Sequence, residues 1–214
     1  AYSEPTPLKV ELVHTFTAHK RQMHELLILP LYEPTIISVD NFGTFKIWDA
    51  LTSEILWEDD YFQISSGHNS QTRTDSSFAL SNDRQFVAIG SIERLEIRRV
   101  RDGGLVTNLW PPNTPLASSR FSKITFSPDD RYLAAYDEAS ETVSLFDSEN
   151  GKKIKGFKRK NASPSSIRFT NGMGKLMLIG QSGVDIWDIL SGKLVRSISA
   201  QEITGEKHLG TDID

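Results

Sequence analysis

The sequence predicts an all-β fold assembled from repeated four-stranded units. Three observations carry this. A strand, polar turn and second strand, marked by an aromatic–acid pair, recurs along the chain. An apolar strand pair precedes each recurrence. No stretch shows sustained helical periodicity.

The first recurrence is Phe45-Lys46-Ile47-Trp48-Asp49, a turn over 50–53, then Glu54-Ile55-Leu56-Trp57. The second is Leu95-Glu96-Ile97-Arg98-Arg99, followed by Asp102-Gly103-Gly104-Leu105-Val106. The third is Val143-Ser144-Leu145-Phe146-Asp147, followed by Asn150-Gly151-Lys152-Lys153-Ile154. The fourth is Val184-Asp185-Ile186-Trp187-Asp188, followed by Ser191-Gly192-Lys193-Leu194-Val195. The aromatic slot at 48, 98, 146 and 187 steps by 50, 48 and 41 residues. The clearest preceding pair is Ile124-Thr125-Phe126-Ser127-Pro128-Asp129-Asp130-Arg131-Tyr132-Leu133-Ala134. Pro presets φ in that turn, and Asp bonds its own backbone there. The segments 78–88, 167–176 and 29–34 occupy the same place in the other units. A four-stranded unit at this period reads as the blade of a β-propeller.

These residues carry a family resemblance. Ala18-His19, the apolar Met23, Leu26 and Ile28, Ile37-Ser38-Val39-Asp40 and Gly43-Thr44-Phe45-Lys46-Ile47-Trp48-Asp49 together resemble a WD40 repeat. The family pattern is Gly-His, spaced apolar residues, Ser-x-Asp, then Trp-Asp, with a period of about 40–45 residues. The resemblance covers roughly residues 9–198. It implies a hydrogen-bond chain His19, Ser38, Asp40 and Trp48 that stiffens the first blade. It also implies a non-catalytic protein-interaction scaffold that assembles a multiprotein complex. Only the first and fourth units keep Trp-Asp; the third has Phe146-Asp147 and the second Arg98-Arg99. Asn69, Ala117 and Lys160 stand in the later histidine slots, and His68 serves the second if its loop carries one extra residue.

The expected organisation is an extension over 1–8, the outer strand of a preceding blade over 9–17, and blades over 18–60, 61–110, 111–158 and 159–199. A polar tail or linker follows over 200–214. The start at Ala1 rather than Met points to excision from something longer. Neither end supplies the strand that usually closes a ring. The expectation is therefore about half of a seven- or eight-bladed propeller, or a chain that pairs with another copy.

Composition bounds the partners. The chain has 214 residues, 24% of them charged and 38% hydrophobic, a soluble globular mixture. Its longest apolar runs are too short for a bilayer, and no secretion signal opens it. It has no cysteine, which removes disulfides, thiolate catalysis and Cys-based zinc sites. A net charge of -4 gives the whole chain no electrostatic attraction to nucleic acid. A cytoplasmic place is expected, with a nuclear or cilium-associated one as the alternative.

Chemistry-bearing motifs are scarce. His14, His19 and His24 fall at five-residue steps, which on a strand send neighbours to opposite faces, so no metal site is expected. Gly180-Gln181-Ser182-Gly183-Val184 nearly spells a nucleophile elbow, but it lies in a strand–strand turn and Val184 replaces the required Gly. Gly103-Gly104 reads as a hairpin turn rather than a phosphate loop. Asp129-Asp130 and Glu58-Asp59-Asp60 read as solvated turns and strand ends, and the sequon Asn161-Ala162-Ser163 as unused. No cofactor is expected, and a propeller enzyme is the least favoured reading.

Two basic clusters, 94–101 and 152–160, offer the alternative of a phosphoinositide- or RNA-binding propeller. Phe157-Lys158-Arg159-Lys160 resembles, loosely, the Phe-Arg-Arg-Gly motif of phosphoinositide-binding propellers. Lysine on an outer strand equally blocks edge-to-edge pairing. Phe42 stands at a loop tip where polar residues are usual. The candidate partner-binding residues are Arg21, His24, Phe42, Arg98, Arg99, Lys158, Arg159 and Lys160, with other proteins as partners and anionic ligands possible at the basic rim.

Overall fold

A computed structural model describes residues 15, 17–20, 22–29, 34–40, 44–59, 77–91, 94–110, 119–158, 163–170 and 174–204. These residues form four antiparallel four-stranded sheets and one short helix, an all-β architecture of blade-like units. Phe42, Arg21, Arg159 and Lys160, residues 9–14 and 16 of the expected outer strand and the side chain of His24 lie outside the described residues; Thr15 and Thr17 of that segment are described and are not in a strand. The chain divides into two compact units, Ala1–Ser66 and Gly67–Asp214.

The first unit holds sheet 1: β1 (Met23–Leu29), β2 (Thr35–Asp40), β3 (Phe45–Asp49) and β4 (Ile55–Asp59), in that order. The second unit holds three sheets. Sheet 2 comprises β5 (Ser77–Leu80), β6 (Phe86–Ser91), β7 (Arg94–Arg99) and β8 (Leu105–Asn108). Sheet 3 comprises β9 (Phe121–Phe126), β10 (Tyr132–Asp137), β11 (Thr142–Asp147) and β12 (Lys153–Lys158). Sheet 4 comprises β13 (Ser166–Phe169), β14 (Lys175–Gly180), β15 (Gly183–Asp188) and β16 (Lys193–Ser199). Neighbours in every sheet are consecutive in sequence, because short polar turns permit only antiparallel returns.

The central strands of sheet 3 are apolar on both faces, as an interior sheet must be. Leu133, Ala135 and Phe146 pack with Leu95, Ile97, Leu109, Phe121, Ile124 and Phe126 in one cluster shared with sheet 2. Ala134, Tyr136, Val143, Leu145 and Phe157 pack with Ile167, Leu176, Leu178, Trp187 and Ile189 in a second, shared with sheet 4. The Phe157 and Trp187 rings stack at 4.8 Å across that second interface.

The aromatic–acid pair has a local cause. In three sheets its acid caps the turn that follows. Asp49 accepts from the Leu51 and Thr52 amides at 2.7 and 2.8 Å. Asp147 accepts from Glu149 and Asn150, both at 3.0 Å. Asp188 accepts from Ser191 at 2.7 Å. These backbone donors hold the Asp49 and Asp188 carboxyls below the ordinary carboxylate range. In sheet 2 Arg99 occupies the slot, and the carboxylate moves into the turn: Asp102 accepts from the Gly104 amide at 2.8 Å and from Arg99 Nε at 3.0 Å.

The strand register slips at one and the same step in every sheet: between Ile47 and Trp48, Ile97 and Arg98, Leu145 and Phe146, and Ile186 and Trp187. A bulge there increases the twist of each outer strand. Beyond β16 the stretch expected to be a tail begins with helix α1 (Ala200–Thr204). Ser199 and Glu202 form a reciprocal capping box at its start, the Ser199 amide donating to Glu202 at 2.8 Å and the Glu202 amide to Ser199 Oγ at 3.2 Å.

Candidate functional site

The structure brings His19, Ser38, Asp40 and Trp48 together within the first unit. Ser38 and Asp40 share one face of β2, and Trp48 comes from β3. The Trp48 indole N–H donates to Ser38 Oγ at 2.8 Å. Ser38 Oγ lies 2.7 Å from His19 Nε2, and His19 Nδ1 lies 3.7 Å from an Asp40 carboxylate oxygen. Ser38 Oγ is thus the shared junction of the Trp48 and His19 hydrogen bonds. Asp40 also accepts from the Thr44 amide at 2.9 Å and so ties the chain to the entrance of β3. Burial pushes the His19 pKa below its ordinary value, against the opposing pull of Asp40. The imidazole is therefore neutral at pH 7.

Serine, histidine and aspartate in this order match the sequence of contacts in a nucleophilic triad. Here Ser38 is fully buried, with 0% of its surface exposed, and one of its lone pairs is occupied by Trp48. The oxygen has no approach for a carbonyl carbon. What the arrangement does is brace β2 against β3 and anchor the segment before β1.

The corresponding place in sheet 4 is incomplete. Leu176 pairs with Trp187 as Ile36 pairs with Trp48, so Leu178 stands where Ser38 stands in sheet 1. The Trp187 indole N–H is buried without a hydrogen-bond partner. In sheet 2 Ile89 stands in the place of Ser38, and Arg98 in the place of Trp48. Glu96 receives both Arg94 and Arg98 on one buried face, and Arg98 also donates to the Gly103 carbonyl at 2.8 Å. Burial alone pushes the Glu96 carboxyl up, and the hydrogen bonds and charges of the two arginines more than reverse it, leaving it below the ordinary range.

Among the described residues, several basic side chains are already engaged within the chain. Arg94 and Arg98 are engaged with Glu96, and Arg99 with Asp102 at 3.0 Å. Lys155 reaches sheet 4 and donates to the Leu190 carbonyl at 2.7 Å. Lys153 and Lys158 are exposed on the outer strand β12. Among the described residues no three His, Cys, Asp or Glu side chains group as metal ligands. No helix among them is long and apolar enough to cross a membrane.

One surface is left apolar. Val143 pairs with Phe157 and Val184 with Ile198 at matching positions of sheets 3 and 4. By this register Ala134, Tyr136, Val143, Leu145 and Phe157 correspond to Met177, Ile179, Val184, Ile186 and Ile198. The first five are buried against sheet 4. The second five, on the far face of sheet 4, are only partly buried. This face was not located from the sequence. The signal was the apolar character of both alternating sets in β14. Comparison with described protein families finds no match, and comparison with curated proteins finds none either.

Proposed function

We propose that this chain is a non-catalytic scaffold of WD40 type, part of a larger β-propeller, that holds proteins together in a complex. The observation that carries the reading is the far face of sheet 4. It repeats, position for position, the apolar face that sheet 3 buries against its neighbour, yet its residues remain partly exposed. Apolar surface of this kind is stabilised by removal from water. Its register suits a further sheet of the same build, supplied by another part of the same polypeptide or by another chain. The braced turns around each sheet give such an assembly a rigid frame, and loops on a rigid frame are where partner contacts concentrate. The WD40 resemblance of the first unit supports the same reading. The anionic-ligand alternative draws little support from Arg94, Arg98 and Arg99, which are already engaged by Glu96 and Asp102.

The test is affinity purification with the full chain and with Met177→Asp/Ile186→Asp, both first shown to fold by circular dichroism. A charge forced into an apolar interface is expected to lower recovery of a defined protein set at least tenfold, about 1.4 kcal/mol in binding. Equal recovery by both chains, or no stoichiometric partner for either, would falsify the reading.

A further inference from the structure

The second unit contains a preformed cleft between sheets 2 and 3, away from the open face of sheet 4. Its volume is about 170 Å³. Four apolar side chains form its walls: Phe86 and Ile97 from β6 and β7, Val106 from β8, and Phe126 from β9. The charged residues that line it, Asp130 and Glu149, are both acidic.

We propose that this cleft is a docking site for one aromatic side chain of an extended segment in a partner protein, with Lys or Arg beside that aromatic residue. The volume sets the size of the guest, because an apolar cavity of about 150 Å³ takes a benzene ring. The walls exclude a polar guest, which would lose its hydrogen bonds to water without replacement. The two carboxylates supply the charge complement for a neighbouring cation.

The cleft is held open by its own hydrogen bonds. The Asp130 carboxylate accepts from the Asn82 and Asp83 amides at 2.7 and 3.0 Å, which ties the β9–β10 turn to the β5–β6 turn. Ser148 Oγ donates to the Asp130 carbonyl and adds the β11–β12 turn to the same frame. A guest therefore meets little cost of ordering the site.

The neighbouring surface points the same way. Leu105 is 52% exposed and Val106 40%, so β8 presents apolar surface where it borders the cleft. The other outer strands carry charges that discourage stray contacts: Glu58 and Asp59 on β4, Lys153, Lys155 and Lys158 on β12, Lys193 and Arg196 on β16. The β8 sequence Leu-Val-Thr-Asn carries none. The outer strand without such protection is the one that borders the cleft. This inference concerns a different surface from the sheet 4 face and does not depend on it.

The experiment uses the whole chain with methyl-labelled valine and isoleucine, titrated with three capped pentapeptides: Ser-Lys-Phe-Lys-Ser, Ser-Lys-Ala-Lys-Ser and Ser-Glu-Phe-Glu-Ser. The first is expected to shift the Val106 and Ile97 methyl signals with a sub-millimolar midpoint. The alanine peptide should leave them unmoved, and the acidic peptide should bind about tenfold more weakly. Val106→Phe places a ring in the cleft from within and should abolish the shifts. Glu149→Lys, a change at an exposed position, should weaken the first peptide about tenfold without disturbing the fold. The proposal is overturned if the phenylalanine peptide leaves both methyls unmoved at millimolar concentration. It is equally overturned if the alanine peptide matches it, or if neither substitution changes the midpoint.

Discussion

At the scale of single residues, most of the polar side chains that matter here hold backbone in place. Ser38 is the junction of the chain that runs from Trp48 to Asp40. Ser38→Ala would remove the acceptor of the buried Trp48 N–H and the hydrogen-bond partner of His19 Nε2. We expect a loss of about 2–3 kcal/mol, read from chemical denaturation of the first unit's signal. The histidine adds a pH dependence. Its folded pKa lies below the ordinary 6.5, so on acidification the unfolded chain takes up a proton before the folded one. The stabilisation is complete above about pH 6.5 and declines as pH falls toward the folded value. His19→Gln should flatten that slope; denaturation midpoints at about pH 7.5 and about pH 5 decide it. The partners in this chain are legible in the sequence through the family resemblance carried by residues 18–49. The latch made by Asp130 is not, since it joins turns 48 residues apart and depends on how two sheets lie together. The same holds for Glu96, whose pairing with both arginines only follows once the strand alternation puts 94, 96 and 98 on one face.

Among the elements, the recurring bulge and turn explain why the units look alike despite different sequences. The aromatic–acid pair was visible in the sequence, but its division of labour was not: the aromatic ring packs toward the preceding sheet in sheets 3 and 4, while the acid caps the turn. Sheet 2 shows that the cap is what the geometry requires, because losing the acid at Arg99 is offset by gaining one at Asp102. The β14–β15 turn shows the opposite dependence, on having no side chain at all. Gly183 has φ 129°, and a Cβ there would fall 2.0 Å from the Ile198 carbonyl oxygen. This glycine lies inside the near-match to a nucleophile elbow, one residue before Val184, and the geometry assigns it to strand pairing. Gly183→Ala should separate β15 from β16 locally and destabilise the second unit by about 3 kcal/mol or more. Loss of amide-exchange protection confined first to β16 would check it.

Taken as a whole molecule, the second unit is a stack in which sheet 3 buries both faces. Its two apolar clusters share no side chain but share one backbone, so damage to either is felt by all three sheets. Phe146→Ala removes a ring that is 1% exposed and should cost about 3–5 kcal/mol. Native-state hydrogen exchange should show sheets 2, 3 and 4 losing protection together; a loss restricted to sheet 2 would contradict that coupling. The all-β architecture of four-stranded sheets was legible from turn chemistry and repeat spacing, because those signals are local. Which face stays open, and where a cleft forms, are products of packing between sheets and leave only weak marks in the order of residues.

The contrast between Trp48 and Trp187 equips the protein with its own optical instrument. One indole donates a hydrogen bond and the other, stacked on Phe157, has no acceptor, so the two differ in emission energy and in the exchange rate of the indole proton. With Trp57 and Trp110 replaced by phenylalanine, the remaining pair would report on the first and second units in separate spectral channels. The unfolding of each unit then becomes observable in a single cuvette, without any attached dye.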